Sequence, residues 1–208
     1  MKKVFLLFAV VMLAGSSAFA QAKIGFKAGL NLSEARTGDA EENEELIPRT
    51  SLHFGLVGDF SLSKNLSLQP QLLFSGRGSR ETHEDHKDVY AFNSLELPVN
   101  LVYRSAGKSG SFFIGGGPSL GFNLSGKVWE TDEADQKTDI DFGSNVGEIR
   151  RADIGFNALA GYELTNGLFF SVNYTRGISN WVNVSGESWR NNLLGVSVGY
   201  FFGKGKKK

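Results

Sequence analysis

The chain has 208 residues with 22 basic and 22 acidic side chains, a formal net charge of zero and no cysteine. The missing cysteines exclude a disulfide framework, thiolate metal centres and a lipid-modified N-terminal cysteine. The balanced charge points to no nucleic-acid partner, and a chain this long fits one domain.

Met1-Lys2-Lys3 is a basic start, Val4 to Ala14 an apolar run, and Ala18-Phe19-Ala20 an A-x-A cleavage site. Residues 1–20 therefore read as a signal peptide, and the mature domain is expected to span 21–208, from Gln21. The apolar run is shorter than the ~20 residues a spanning helix needs and closes on Gly15, Ser16 and Ser17, which disfavours an N-terminal anchor.

Eight strands follow in order: Ile24 to Leu32, Phe54 to Leu62, Leu66 to Phe74, Leu95 to Tyr103, Phe112 to Phe122, Ile154 to Leu164, Leu168 to Tyr174 and Leu194 to Phe202. In each, every second residue is apolar, as in Ile24, Phe26, Ala28, Leu30 and Leu32. No position of this phase carries a charge or an amide. The other phase is Gly, Ser, amides and a few charges, with only Val57, Leu73, Val102, Phe113, Leu159, Phe169 and Phe201 as larger apolar residues. That second face is too small and polar to be a core, so the apolar phase must meet lipid. One charge near the bilayer midplane costs about 2–4 kcal/mol, which accounts for a charge-free lipid face. In lipid only helices and closed barrels satisfy every backbone group. The expected fold is all-β, an eight-stranded antiparallel up-and-down transmembrane β-barrel.

Connections alternate in length. Ser63-Lys64-Asn65, Arg104 to Ser111 and Thr165-Asn166-Gly167 are short turns, and four longer loops run from Ser33 to His53, Ser75 to Ser94, Asn123 to Asp153 and Thr175 to Leu193. Short turns belong to the periplasmic rim and long loops outside, with both termini periplasmic. All acidic residues except Asp59, Glu96, Asp153 and Glu163 fall in the loop stretches Ser33 to Thr50, Arg77 to Val89, Lys127 to Arg150 and Gly177 to Arg190. The periplasmic rim carries only bases: Lys64, Arg104, Lys108 and the tail residues Lys204, Lys206, Lys207 and Lys208. Aromatic girdles are expected low at Phe60, Tyr103, Phe112, Tyr162, Tyr200 and Phe202, and high at Phe74, Tyr90, Phe92, Phe122, Trp129, Tyr174, Trp181 and Trp189.

Several stretches carry a family likeness: Phe26-Lys27-Ala28-Gly29-Leu30-Asn31, Gln69 to Phe74, Ser94-Leu95-Glu96-Leu97-Pro98-Val99, Gly116 to Gly121, and the run Asp153 to Asn180. In their order and spacing they resemble the PorT-like family of bacterial outer-membrane β-barrels. The resemblance implies an eight-stranded barrel in the outer membrane without known enzymatic activity. Its founding member is linked to a protein secretion machinery, a role not carried over to this chain. Outer-membrane barrels usually end on an aromatic residue, whereas here Phe202 is followed by a basic tail.

The candidate polar set is Lys27, Asp59, Glu96 and Glu163, all on the inward phase. A proton or ion path is one reading. The favoured one is a paired network, with Lys27 opposite Asp59, filling an interior just wide enough for side chains. His83 and His86 form a weak metal candidate in the second loop. The acidic residues Asp132, Glu133, Asp135, Asp139 and Asp141 lack an EF-hand pattern but suit loose divalent bridging to lipopolysaccharide. His53 is expected at the outer mouth of the second strand, where Ser51 or Ser94 stands near enough for nucleophilic chemistry, a reading disfavoured because such pairs arise by chance. No cofactor and no enzymatic activity are expected. The function expected is a structural or interaction protein of the cell surface; the alternatives are an accessory of a secretion or transport complex and, behind it, a small-solute pore.

Overall fold

The computed structural model describes residues 22–37, 45–82, 87–105, 107–131, 136–143, 145, 147–182, 184 and 188–202. The strands are β1 (Lys23–Thr37), β2 (Glu45–Ser61), β3 (Leu66–Thr82), β4 (Lys87–Arg104), β5 (Gly110–Glu130), a two-residue β6 (Thr138–Asp139), β7 (Ala152–Leu164), β8 (Leu168–Gly177) and β9 (Trp189–Phe202). Each long strand pairs antiparallel with its neighbours in sequence, β5 pairs with β7, and β1 closes the ring on β9 from Ile24↔Phe202 to Thr37↔Trp189. β6 lies beside the outer part of β5, through Lys127↔Asp139. The barrel wall is therefore eight strands with no free edge, as lipid requires.

The alternation sorts as its chemistry demands. Phe26, Leu30, Leu56, Ile114, Phe156, Val172 and Val198 stand outward and exposed, while Lys27, Asn31, Gln69, Gln71, Asn100 and Ser197 are buried in the lumen. Charges return to the outward face only toward the outer ends, at exposed Arg80, Lys127, Arg176 and Arg190.

At the short-turn rim the strand ends fall within two residues of the sequence expectation. At the other rim every strand runs on by two to nine residues, so β5 has 21 and β4 has 18. Roughly 9–11 residues cross a bilayer, so the surplus of β5 projects on the order of 30 Å along its own direction. Much of what reads as loop is thus strand, because ladder pairing continues where the apolar alternation stops. The turn at Thr165-Asn166-Gly167 closes as an Asn-Gly pair permits: Gly167 has φ 94°, and its N–H donates to the Leu164 carbonyl at 3.0 Å.

Between Asn93 and Ser94 a bulge breaks the β4–β5 register. Asn93 faces Ser125 and Ser94 faces Asn123, so the extra residue is Leu124 of β5; it moves the buried phase of β5 from odd, at Asn123, to even, at Gly126, while β4 keeps even residues such as Phe92 and Ser94 inward.

Candidate functional site: the filled lumen and its outer cap

The lumen is packed in layers. At the short-turn end Arg104, the last residue of β4, turns inward and is only 15% exposed. Its guanidinium pairs with Asp59 at 2.5 Å and with Glu163 at 3.2 Å, and donates to Ser67 Oγ at 2.6 Å. Lys23 reaches the other oxygen of Glu163 at 2.6 Å. Arg104, expected at the solvated rim, is instead the centre of a buried cluster. It sits 5.7 Å from the Phe113 ring, whose face favours a desolvated cation. Lys64 and Lys108 keep the exposed rim positions, and the tail lysines Lys204, Lys206, Lys207 and Lys208 lie outside the described residues.

Next comes an apolar layer of Val57, Val102, Phe113, Leu159, Phe169 and Phe201. These are nearly all the inward apolar residues of the sequence, drawn to one level by the registers. Beside it stands Lys27, 5% exposed, coupled electrostatically to Glu96. The expected contact between Lys27 and Asp59 does not form. The β1–β2 register sets Lys27 opposite Gly55 and Asp59 opposite Lys23, a separation of four residues along the strand, or about 13 Å.

Farther out, Arg77 is 1% exposed and donates to two carboxylates, through Nε to Glu96 at 2.7 Å and through Nη1 to Asp153 at 2.6 Å. It ties β3, β4 and β7 across the lumen. Gly121 of β5 leaves the room: a Cβ there would stand 3.2 Å from Arg77 Nη1. Sequence reasoning placed Arg77 in an outer loop. The signal was the continued phase Gln69, Gln71, Leu73, Ser75, Arg77, together with an excess of inward acids needing cations. With Arg77 and Arg104 included, the acids Asp59, Glu96, Asp153 and Glu163 are matched by the bases Lys23, Lys27, Arg77 and Arg104. Amides and hydroxyls fill the remaining space, among them Asn31 on Ser75 at 2.8 Å and Asn157 on Asn100 at 2.9 Å.

His53 also corrects the expectation. β2 starts eight residues before it, so it is a mid-strand lumen residue, 3% exposed, with Nε2 2.8 Å from Ser197 Oγ. Among the described residues its Nδ1 has no hydrogen-bond partner, whereas the base of a nucleophilic site is oriented by a third group. Ser51 and Ser94 are engaged elsewhere, with Gly76 O at 2.6 Å and Asn123 Oδ1 at 2.7 Å. His83 and His86 lie outside the described residues, as do Asp132, Glu133 and Asp135. Asp139 stands 3.5 Å from Lys127, and among the described residues no three metal-ligating side chains converge.

The outer mouth is closed by an aromatic cap. Phe92, Ile149 and Trp181 are buried together, with Tyr90, Ile140, Phe142 and Trp189 packed against them. Phe92 meets Trp181 edge-on at 5.1 Å and Tyr90 meets Trp189 at 5.2 Å. The expected upper girdle therefore divides. Phe122 and Tyr174 face outward at about half exposure, whereas Tyr90, Phe92, Trp181 and Trp189 turn inward above the bulge.

A closed eight-stranded barrel with an apolar outer belt and a side-chain-filled interior defines the class of small membrane-spanning barrels. The chain belongs to the outer membrane protein beta-barrel domain family, whose model matches residues 19–183, and it is accordingly a bacterial outer-membrane protein. No curated protein matches the sequence significantly. Among solved structures it is similar to the outer membrane protein OprG from Pseudomonas aeruginosa, at 8% identity over 87% of this chain and 96% of that one, with a TM-score of 0.50. It is also similar to Neisserial surface protein A, at 13% identity, 87% and 99% coverage and a TM-score of 0.48. A third is the attachment invasion locus protein Ail of Yersinia pestis, at 12% identity, 88% and 99% coverage and a TM-score of 0.45. At these identities the likeness concerns the fold.

Proposed function

We propose that the protein is a non-conducting, non-enzymatic barrel of the PorT-like kind that holds an interaction surface on the outside of the outer membrane. The observation that carries this reading is the division of labour along the barrel axis. Charged, apolar and aromatic layers fill the interior, and the cavity beside Lys27 measures only about 10 Å³. The same strands run well beyond the span a membrane needs and carry a folded cap. Such an extension contributes nothing to crossing lipid, so its use lies in what it presents.

On this reading the short turns and both termini face the periplasm and the capped rim faces outward. The surrounding partner is outer-membrane lipid, including lipopolysaccharide. The outward cations Arg80, Arg176 and Arg190 above the apolar belt suit its phosphates. A protein partner at the outer rim is tested against one at the periplasmic rim by placing a photo-cross-linker at exposed Asp141 or at exposed Lys64 in intact cells. Adducts from position 141 and none from 64 are expected. Adducts from 64 alone would overturn the surface role in favour of a periplasmic accessory of secretion or transport.

A further inference from the structure

Three buried polar side chains converge in mid-lumen. The cavity of about 10 Å³ is lined by Lys27, Gln71 and Asn173 over a floor that includes Phe113 and Phe169. Lys27 is buried and feels the Glu96 carboxylate electrostatically. Gln71 Oε1 and Asn173 Oδ1 are buried acceptors without a donor. A buried acceptor without a donor is costly, so their common position at one small space calls for an occupant that donates twice.

The orientation of the amides follows from the layer below. Asp59 is an acceptor, and Gln69 Nε2 donates to its Oδ2 at 3.4 Å. Gln69 must therefore present Oε1 to its neighbour, and Gln71 Nε2 donates to that oxygen at 3.1 Å. Gln71 in turn presents Oε1 to the cavity. Turning Gln71 over would set its oxygen against that of Gln69, and turning both would set an oxygen against the Asp59 carboxylate. The negative charge of Asp59 thus fixes the sense of the whole chain.

We propose that the cavity beside Lys27 binds a single water molecule that joins Lys27 to Asp59 through a hydrogen-bond chain running in one direction. The water accepts from the Lys27 ammonium and donates to Gln71 Oε1 and Asn173 Oδ1, which uses its two donors and leaves an acceptor site to spare. The volume suits one water and nothing larger. A chloride ion would meet two carbonyl oxygens, and a cation would meet the ammonium, so both are rejected by charge. Lys27 and Asp59 are linked after all, with one water and two amides spanning the gap between their levels. The buried ammonium is held without touching a carboxylate.

Crystals of the mature protein at a resolution that shows water test the site directly. One solvent peak is expected within hydrogen-bond distance, ~2.6–3.2 Å, of Lys27 Nζ, Gln71 Oε1 and Asn173 Oδ1, with no anomalous signal there after a bromide soak. A dry cavity, a bromide peak, or Lys27 paired directly with a carboxylate would overturn the proposal. A second measurement uses denaturant midpoints in detergent. Because one water serves both groups, the midpoint loss of K27M/Q71L should fall short of the summed losses of K27M and Q71L. Additive losses would count against it, and the crystallographic result stands even where a variant fails to fold.

Discussion

Arg77 shows what a single buried charge does in this lumen. Its guanidinium is 1% exposed and is the hydrogen-bonded partner of both Glu96 and Asp153. Removing one member of a buried ionic cluster leaves uncompensated charge and costs about 3–5 kcal/mol, whereas replacing the whole cluster with apolar groups of similar volume is often neutral. Arg77→Met should therefore destabilise the barrel by about that amount in denaturant titrations in detergent. R77M/E96L/D153L should recover most of the loss. A triple variant as unstable as the single one would show that the three do not act as a unit. Asp59 obeys the same logic with Arg104 as its partner at 2.5 Å. Arg104→Met is accordingly expected to cost more than R104M/D59L.

At the scale of the strand, two regions with different solvents lie on one ladder. The lower part of β9, from Leu194 to Phe202, alternates Leu, Val, Val, Tyr and Phe outward against Gly195, Ser197, Gly199 and Phe201 inward. Val198 is the middle of that row, 46% exposed to the hydrocarbon side. An arginine there should cost about 2–4 kcal/mol in lipid, whereas native Arg190 farther up the strand sits where the cost is near zero. Folding titrations of Val198→Arg into vesicles measure the difference. The upper part behaves as a separate small core, held by Phe92 against Trp181 and Trp189. Phe92→Ala should lower the local opening energy of the cap by about 3–5 kcal/mol. Hydrogen exchange should then speed up at the amides of Ile149 and Trp181, while Val198 keeps its protection. Equal acceleration at all three would mean that cap and barrel unfold together.

This division also explains which parts of the fold could be read from the sequence. The strand cores and short turns were legible because lipid imposes a strict period of two and punishes exceptions. The outer ends were not, because in water the outward face is free to carry Arg80, Lys127 or Arg190 and the alternation of polarity dissolves although the ladder persists. Phe92 keeps the even, inward parity of Ser94 and Glu96, but it lies beyond the strand start expected at Leu95, so it read as a girdle residue. For the candidate site, the inward placement of Lys27, Asp59, Glu96 and Glu163 followed from parity alone. Their partners did not, since pairing depends on register and tilt: Arg104 and Lys23 reach Glu163 from positions remote in sequence, and Arg77 reaches Asp153 across 76 residues.

For the whole molecule the decisive property is polarity along the barrel axis. One rim has tight turns with exposed Lys64 and Lys108, and the other has extended strands, an aromatic cap and exposed acids such as Asp139 and Asp141. A chain folding into the membrane from the periplasm passes short polar turns across lipid less readily than it leaves them behind, but it must carry the larger rim through. The periplasmic assignment of the short turns therefore makes a strong claim about insertion. Because the chain has no cysteine, it is easily tested. Single cysteines at Lys64, Lys108 and Asp141 each sit on exposed positions. In intact cells a membrane-impermeant maleimide should label position 141 and leave 64 and 108 unlabelled until the outer membrane is permeabilised. Labelling of 64 and 108 in intact cells, with 141 protected, would invert the barrel and move the cap into the periplasm. The outward interaction surface would fall with it, while the filled lumen, which is the same in either orientation, would still predict an absence of conductance steps in planar bilayers.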